Sequence, residues 1–452
     1  MRTSDRGWQL TRLTGIRTIM NDIASVDLTA GAADAWINLS PGNPSHIEEA
    51  VRMWRELTAE ALDDGFVGAS TRYGPSRGTG ALVQAVAGYF ADAYGWDIGP
   101  GNVVVGPGSQ LLAFAATTLY TGQGAGGFRR LALPRLPDYA GYQGLAQDHG
   151  GVVGVDAILE PKGERDFEYR VDLAAVGRLE DVGMFLLSNP ANPTGGCVTG
   201  FELGELAATA ARHDAVLVVD NAYGRPFPNI APVPYPPLWH PHVLNLFTFS
   251  KAGLPGERIA FAVGPEHLVE PIVGFLANTA LHAPQLMQHA AARALATRRI
   301  DELVTTAIMP HYRAKRLVID KLLAEAMPGG LAWRRHAGTS GMFSWLAVDE
   351  DWFDDLALYE ALKERGVFIV PGRHFFLPSD NPRRTRCFRL SLSAGESDLG
   401  EGVGRMAAAL RELGSHQPFV QRGDHGGRAV GGVQLQEHGA DKTLDSVRGD
   451  VQ

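Results

Sequence analysis

Between residues 102 and 263, short aliphatic runs alternate with stretches of helical hydrophobic spacing, and this alternation limits the fold more than any other feature. Continuous aliphatic runs indicate strands buried on both faces, as in a mostly parallel sheet flanked by helices. The sequence therefore predicts an α/β domain with a mostly parallel sheet of the seven-stranded type. The predicted strands are 102–105, 131–133, 151–155, 184–187, 215–219, 243–249 and 259–263.

Clusters of polar residues, glycine and proline follow most of these predicted strands. In α/β sheets, ligands bind outside the carboxyl ends of the strands, where segments far apart in sequence come together. We therefore expect these clusters to form one site. They are 106–110 (GPGSQ), 134–139 (PRLPDY), 188–195 (SNPANPTG), 220–224 (DNAYG) and 248–258 (TFSKAGLPGER).

The hydrophobic patterns also divide the chain into parts. We predict a large α/β domain over 46–325 and a smaller α+β domain over 326–414, to which an N-terminal arm over 1–45 contributes. The last stretch, 415–452, is rich in Gly, His, Gln, Asp and Arg and has no hydrophobic period. Such a segment buries too little apolar surface to fold, so we predict a disordered tail.

Composition limits the classes of function. The formal net charge of −9 over 452 residues gives no reason to expect a nucleic acid or an acidic membrane as a partner. The two cysteines are too few for a disulfide framework or a zinc cluster, which indicates a reducing compartment and no metal. Residues 1–20 do not resemble a secretory signal, and no apolar run is long enough to span a bilayer. We therefore predict a cytoplasmic protein.

Lys251 is the residue with the most specific chemistry, because it ends a predicted buried strand between hydroxyl groups and a Gly/Pro turn. A lysine in this position can form an imine with an aldehyde cofactor, which is how pyridoxal phosphate (PLP) is carried. The plain alternative is a solvated surface lysine, which is common for an isolated Ser-Lys pair. The cofactor hypothesis therefore requires partners for the other groups of PLP.

The strand-end clusters contain a candidate partner for each of these groups. Asp220 can keep the pyridine nitrogen protonated, and Tyr223 and Asn192 can bind the phenolic oxygen. Singly, each has a plain alternative, such as a turn or a helix cap, but their joint occurrence at strand ends favours PLP. Helix N-termini, hydroxyls and cations bind phosphate, aromatic rings stack on the cofactor, and arginine binds carboxylates. For these roles the candidates are Ser109, Gln110, Thr248, Ser250 and Arg258 for phosphate, Tyr139 for stacking and Arg389 for an amino acid carboxylate.

These motifs resemble those of the fold-type I, aspartate-aminotransferase-like PLP enzymes, and within them the valine–pyruvate aminotransferases. The broad resemblance rests on 40–44 (SPGNP), 73–75 (YGP), 192–195 (NPTG), Asp220-x-x-Tyr223, Ser250-Lys251, 255–258 (PGER) and Arg389. The narrower resemblance rests on 10–12 (LTR), 15–16 (GI), 20–22 (MND), 220–228 (DNAYGRPFP), the short spacing from Lys251 to Arg258, and 370–376 (VPGRHFF).

The resemblance implies a PLP-dependent transferase fold and a role for each matching residue. Lys251 would form the Schiff base and move the proton, and the other candidates named above would bind the cofactor as described. Gly42 and Arg389 would bind the substrate carboxylate. Tyr73 would reach the phosphate of the neighbouring subunit, so a homodimer with shared active sites is implied.

Arg225 departs from the pattern, because a valine-type enzyme is expected to have a small apolar residue there. Arg77, Arg135 and Arg373 add further positive charge in loops expected to border the site. These arginines are either solvated surface residues or contacts for a substrate that carries extra negative charge or several polar groups. We take Arg225 to be such a contact.

The predicted function is transfer of an amino group between an L-amino acid of the valine or alanine type and a 2-oxo acid. The alternative is a PLP enzyme of specialised metabolism that catalyses β- or γ-elimination or carbon–carbon bond formation on a larger polar or anionic substrate, because the fold does not choose the reaction. A PLP-binding transcriptional regulator would need an N-terminal helix-turn-helix domain before the 40–44 loop, and the segment there is short.

Overall fold

The computed structural model describes residues 3–11, 15–25 and 36–415. Residues 416–452 of the predicted tail lie outside the described residues, and Ser415 ends the last helix. The helices are α1 (Asp5–Thr11), α2 (Gly15–Ser25), α3 (Glu48–Ser70), α4 (Gly80–Tyr94), α5 (Ser109–Tyr120), α6 (Leu173–Val176), α7 (Gly200–Arg212), α8 (Glu266–Thr279), α9 (Leu286–Ala296), α10 (Arg299–Leu303), α11 (Met309–Ala326), α12 (Asp355–Lys363) and α13 (Glu396–Ser415).

The strands form a large sheet, a second sheet and a short pair. They are β1 (Ile37–Asn38), β2 (Val103–Gly106), β3 (Gly122–Gly124), β4 (Gly127–Leu136), β5 (Val152–Asp156), β6 (Ile158–Pro161), β7 (Asp166–Arg170), β8 (Val182–Ser188), β9 (Val216–Asp220), β10 (Val243–Thr248), β11 (Ala260–Val263), β12 (Trp333–His336), β13 (Phe343–Val348), β14 (Val367–Phe368), β15 (Val370–Pro371) and β16 (Cys387–Ser391).

The large sheet has the order β2-β11-β10-β9-β8-β4, with β5 and the short β3 both pairing with β4. Strands β4, β5, β8, β9 and β10 run parallel, and β11 runs antiparallel to both of its neighbours. Each strand predicted between residues 102 and 263 lies in this sheet, and the predicted α/β fold is confirmed. In the register of β8, β9 and β10, Asp220 lies beside Ser188 on one side and Leu246 on the other, so the carboxyl ends of the three strands are level.

Helices cover both faces of this sheet. Alternate residues of a strand point to opposite faces. In β10, Leu244 and Leu246 therefore join the core that includes α5 and α8, while Phe247 joins the core that includes α3, α4 and α9. Among the described residues, no helix combines the length and the apolar character needed to cross a membrane.

Helix α7 begins with a capping box. The Thr199 hydroxyl accepts a hydrogen bond from the Glu202 N–H, and the Glu202 carboxylate accepts one from the Thr199 N–H. These reciprocal bonds satisfy backbone donors that the first turn of a helix leaves free.

The second sheet has the order β15-β16-β13-β12-β7-β6 and includes strands that the sequence did not predict. Its β6–β7 hairpin comes from residues 158–170, inside the predicted large domain, and β7 pairs in parallel with β12. At the other end of the chain, Ile37 of β1 pairs with Val367 of β14. The division into domains at residues 45 and 325 stays a prediction.

Candidate active site

The carboxyl ends of β8, β9 and β10 open into a cavity of about 850 Å³. Its walls come from the strand-end clusters, from the 40–43 loop and from α2. Of the residues predicted for the site, all except Tyr73 and Arg225 line this cavity. They are Gly42, Ser109, Gln110, Tyr139, Asn192, Asp220, Tyr223, Thr248, Ser250, Lys251, Arg258 and Arg389.

Lys251 lies in a single 3-10 turn, Ser250–Ala252, which follows β10 after Phe249 and ends at Gly253 with φ 113°. Its Nζ donates a hydrogen bond to the Gly42 carbonyl oxygen over 2.6 Å. Burial lowers the pKa of Lys251 to about 8, although the negative charge of Asp220 opposes this shift. A larger fraction of the amine is therefore neutral near pH 7 than in a solvated lysine, as nucleophilic and basic catalysis by lysine requires.

Asp220 is a buried carboxylate held by two donors. The Tyr142 hydroxyl donates to Oδ2 over 2.9 Å, and the Ala222 N–H donates to Oδ1 over 3.1 Å. Burial raises the pKa of Asp220, and the bonds from Tyr142 and Ala222, together with the charge of Lys251, lower it. The carboxylate is thus arranged to pair with a cation in the cavity.

Tyr142 is not predicted from the sequence. It lies in the short 3-10 helix Ala140–Gly144 after Tyr139, and the two rings meet edge to face at 5.2 Å. Its spacing of three residues from Tyr139 is the one signal that could have indicated it, because one 3-10 turn brings residues i and i+3 to the same face.

Arg389 is buried on β16 with its guanidinium facing the cavity. Nη1 donates to Asn192 Oδ1 over 2.8 Å, Nη2 donates to the Ser40 carbonyl oxygen, and Nε is buried without a partner among the described residues. The guanidinium lies 4.1 Å from the centroid of the Phe343 ring. Burial lowers the pKa of Arg389 to about 10, so it remains a cation at neutral pH.

A buried network behind the cavity positions Asn192, and the sequence does not predict it. Ser188 ends β8, and its hydroxyl donates to Asp138 and accepts from the Asn192 N–H over 3.1 Å. Arg135 donates to the Ser188 carbonyl oxygen over 3.0 Å. Burial raises the pKa of Asp138 to about 6, against the opposing charge of Arg135. Arg135 itself is buried and is not among the described residues that line the cavity.

An anion cradle lies at the start of α5. The N-cap residue, Gly108, has φ 96° and no side chain to cap the helix, so first-turn N–H groups stay available at the cavity. The guanidinium of Arg258 lies so close to Gly108 that a Cβ at position 108 would collide with it. The Thr248 hydroxyl donates to Ser250 Oγ over 2.9 Å beside this helix end. Hydroxyls, free N–H groups and a cation together fit a phosphate.

Tyr139 and Gln110 complete this side of the cavity. The Tyr139 ring is half-buried against Gly141, where any Cβ would collide with it. Gln110 Nε2 donates to the Gly141 carbonyl oxygen over 3.2 Å. The aromatic ring, the cradle, the buried carboxylate and the lysine together fit PLP.

Tyr73 and Arg225 are not among the described residues that line the cavity of this chain. The Tyr73 side chain is 86% exposed, with its ring edge-on to His282. The positive charge of Arg225 acts on Tyr94. Burial raises the pKa of Tyr94 to about 12, and Arg225 opposes this rise. Their predicted roles stay predictions.

Arg77 and Arg373 also do not bring free charge to the cavity. Arg77 forms an ion pair with Glu270, and Arg373 forms ion pairs with Asp354 and Asp355. The positive charge of these two loops is therefore balanced locally.

Comparison with a protein family model and with related proteins agrees with the PLP site described above. The family model of aminotransferase classes I and II matches residues 34–404. The valine–pyruvate aminotransferase of Escherichia coli K12 is 31% identical over 413 residues, which cover 89% of this chain and 97% of that protein.

Two solved structures are similar over nearly the whole fold. The valine–pyruvate aminotransferase from Salmonella typhimurium LT2 matches with a TM-score of 0.79 at 28% identity, covering 89% of this chain and 100% of that one. A proposed amino-acid aminotransferase from Psychrobacter arcticum 273-4 matches with a TM-score of 0.86 at 29% identity, covering 92% of this chain and 100% of that one.

Proposed function

Because this chain belongs to the class I and II aminotransferases, within the valine–pyruvate aminotransferase subfamily, we propose that the cavity at the ends of β8, β9 and β10 is its active site. The protein is a PLP-dependent enzyme that transfers an amino group between an amino acid and a 2-oxo acid. We propose that the amino acid is of the valine or alanine type. The observation that carries the proposal is the meeting of Lys251, Asp220 and the anion cradle in one cavity.

Bound PLP supplies an electron sink that stabilises negative charge at the α-carbon of the substrate. We propose that Asp220 pairs with its pyridine nitrogen, that Tyr223 and Asn192 bind its phenolic oxygen, and that Tyr139 stacks on its ring. The phosphate would be held by the cradle residues Ser109, Gln110, Thr248, Ser250 and Arg258.

Lys251 is proposed to hold the cofactor and to move the proton. Its lowered pKa allows the neutral amine to take a proton from the α-carbon at Nζ near neutral pH. Arg389, helped by Gly42, is proposed to bind the substrate carboxylate, because it is a buried cation among the residues that line the cavity. Asn192 keeps the Arg389 guanidinium in place through its Oδ1.

The reaction is tested by mixing cofactor-loaded enzyme with single amino acids and following its visible absorbance. L-valine or L-alanine should change the absorbance, and a 2-oxo acid should restore it. A Lys251→Ala variant should release no 2-oxo acid from either amino acid, because it lacks the group that moves the α-proton. If no common amino acid changes the spectrum of the wild-type enzyme, the assignment is wrong and elimination or carbon–carbon bond chemistry becomes the better hypothesis.

We further propose a homodimer in which Tyr73 reaches the phosphate of the partner subunit. Support comes from exposed apolar side chains on the helix that precedes Tyr73 and beside His282, whose ring meets that of Tyr73: Leu62, Phe66 and Val67 on α3, and Leu281. Such a patch on a folded chain is typical of a protein interface. Sedimentation should give a dimer for the wild-type chain and a smaller species for Phe66→Glu, and a wild-type monomer would refute the proposal.

Two further parts of the proposal concern location and substrate. We propose that the enzyme acts in the cytoplasm, in amino acid biosynthesis, and the free state of Cys197 and Cys387 supports a reducing compartment. The predicted substrate contact of Arg225 is tested by Arg225→Val. Unchanged kinetics with every substrate would remove Arg225 from the site.

A further inference from the structure

One face of α11 carries three polar side chains that face the protein interior. Tyr312 and Lys315 are buried, and Arg316 is half-buried. Positions i, i+3 and i+4 of a helix lie on the same side of it, so these side chains form one row, which we call the α11 row. Each of the three makes a hydrogen bond with the backbone of a different segment.

The first residue of the α11 row holds the loop that contains Gly42. The Tyr312 hydroxyl accepts a hydrogen bond from the N–H of the buried Ser45 over 2.8 Å. Earlier in the same loop, the Ser40 carbonyl oxygen accepts a hydrogen bond from Arg389. Tyr312 therefore fixes one end of a loop whose other end contacts the proposed carboxylate-binding arginine.

The other two residues of the row hold segments next to Arg389. Lys315 Nζ donates to the Ala394 carbonyl oxygen over 2.6 Å, in the loop that follows the strand of Arg389. Arg316 Nη2 donates to the Phe343 carbonyl oxygen over 2.7 Å, and the Phe343 ring lies 4.1 Å from the Arg389 guanidinium. All three segments held by the row therefore meet at Arg389.

The loops held by Tyr312 and Lys315 are also bonded to each other. The Ser45 hydroxyl donates to the Ser393 carbonyl oxygen over 3.4 Å, and the Ser393 hydroxyl shares a hydrogen bond with the Ser391 hydroxyl over 2.8 Å. A displacement at either end of the α11 row would therefore reach both loops.

Lys315 distinguishes this arrangement from ordinary core packing. Lysine is rarely buried unless its charge is paired, and within the part of the chain that the structure describes Lys315 forms a bond to a neutral carbonyl oxygen and no ion pair. An apolar side chain would fill the same space without the cost of burying a charge. The contribution of Lys315 is therefore the bond that it donates.

We propose that Tyr312 and Lys315 are positioning residues for the substrate carboxylate, which act through Gly42 and Arg389. Neither is among the described residues that line the cavity, so they act from behind its wall. This inference rests on the proposed function and adds to it two residues outside the cavity. Among the described residues, the α11 row has no hydrogen bond to Asp220 or to the anion cradle, so it should affect the substrate and not the cofactor.

The test measures binding of 3-methylbutanoate to the PLP-loaded enzyme by titration calorimetry. This molecule has the carboxylate and the side chain of valine but no amino group, so it cannot react. Tyr312→Phe and Lys315→Met should each weaken its binding about threefold to tenfold, which is the effect of one lost hydrogen bond. In steady-state kinetics, KM for the amino acid should rise by a similar factor while kcat changes little. If the wild type prefers another amino acid, the analogue of that amino acid without its amino group replaces 3-methylbutanoate.

Two controls separate positioning from a general effect on the fold. Arg313→Ala changes an exposed residue of the same helix and should bind 3-methylbutanoate as the wild type does. Titration of each cofactor-free variant with PLP should give the affinity of the wild type. Phenylalanine and methionine nearly fill the space of the side chains that they replace, and thermal unfolding checks that each variant is folded.

Unchanged affinity for the carboxylate in both Tyr312→Phe and Lys315→Met would overturn the inference, and an unchanged affinity in one of them would remove that residue from it. A parallel loss of PLP affinity would also overturn it, because the effect would then be on the whole site. Failure of the proposed function is distinguishable, since it would appear in the wild-type enzyme as no response to any amino acid.

Discussion

Replacing Lys251 with methionine should stabilise the cofactor-free protein near neutral pH. Burial lowers the pKa of Lys251 from 10.5 to about 8, so the folded protein binds this proton less tightly than the unfolded chain does. A difference of about 2.5 pKa units corresponds to about 3 kcal/mol of unfavourable free energy in the folded state. Methionine keeps most of the apolar stem and has no charge to bury.

Because burial lowers the pKa of Lys251, the stability gained by Lys251→Met depends on the pH. The cost is fully present below the folded pKa of about 8 and disappears as the pH rises towards 10.5, where the unfolded chain also loses the proton. It should amount to about 3 kcal/mol at pH 6.5 and about 1 kcal/mol at pH 9.5. Loss of the bond from Lys251 to Gly42 adds an opposite offset of about 1 kcal/mol that does not depend on the pH in this range.

The measurement is denaturant unfolding of both cofactor-free proteins at pH 6.5 and pH 9.5, at one protein concentration. The stability difference between Lys251→Met and the wild type should fall by about 2 kcal/mol between the two pH values. An equal difference at both would show that Lys251 does not carry a buried charge in the folded protein. It would also remove the physical reason for its proposed basicity.

Three other substitutions test single contacts of the site. Tyr142→Phe should lower the free energy of unfolding by about 1.5–3 kcal/mol at pH 8, because the hydrogen bond to the charged Asp220 is lost. The loss should be smaller at acidic pH, where Asp220 is protonated. Denaturant unfolding at both pH values checks this, and an equal loss of stability at both would contradict it. Arg389→Lys should raise KM for the amino acid at least about tenfold, since lysine cannot reproduce the guanidinium fork, and steady-state kinetics decide it. Gly108→Ala should weaken PLP binding at least about tenfold, because the new Cβ collides with Arg258 and strains a residue at φ 96°. Titration of the cofactor-free protein with PLP measures this, and an affinity equal to that of the wild type would contradict it.

The positions of the main sheet and of most site residues could be predicted because both follow from local pattern and parallel register. Ser188 and Asp220 end adjacent strands and lie side by side, as residues at the carboxyl ends of parallel strands must. Lys251 follows the next strand of the sheet. Aliphatic runs were therefore sufficient to bring these clusters together.

The supporting contacts could not be predicted, because they join segments that no local pattern relates. Tyr142 lies 78 residues from Asp220 in the sequence, and Ser45 lies 267 residues from Tyr312. The β6–β7 hairpin is a further case, since its partner strand β12 lies more than a hundred residues later. Such contacts depend on packing between layers and not on the spacing within one segment.

The loop arginines illustrate the same limit for charge. In the sequence Arg77 and Arg373 resemble free cations near the site, because the acidic groups that pair with them are distant or belong to another element. In the structure Glu270 pairs with Arg77, and Asp354 and Asp355 pair with Arg373. A count of charges along a loop therefore overestimates the charge that the cavity receives.

The central claim is that Lys251 holds PLP in this cavity, and mapping the attachment point tests it most directly. Borohydride makes the bond between a lysine amine and the cofactor permanent, and peptide mass spectrometry then locates the added mass. The account predicts the added mass on the peptide that contains Lys251, and no labelled peptide in Lys251→Ala. Label on another lysine, or an unlabelled wild-type enzyme after incubation with PLP, would contradict the account.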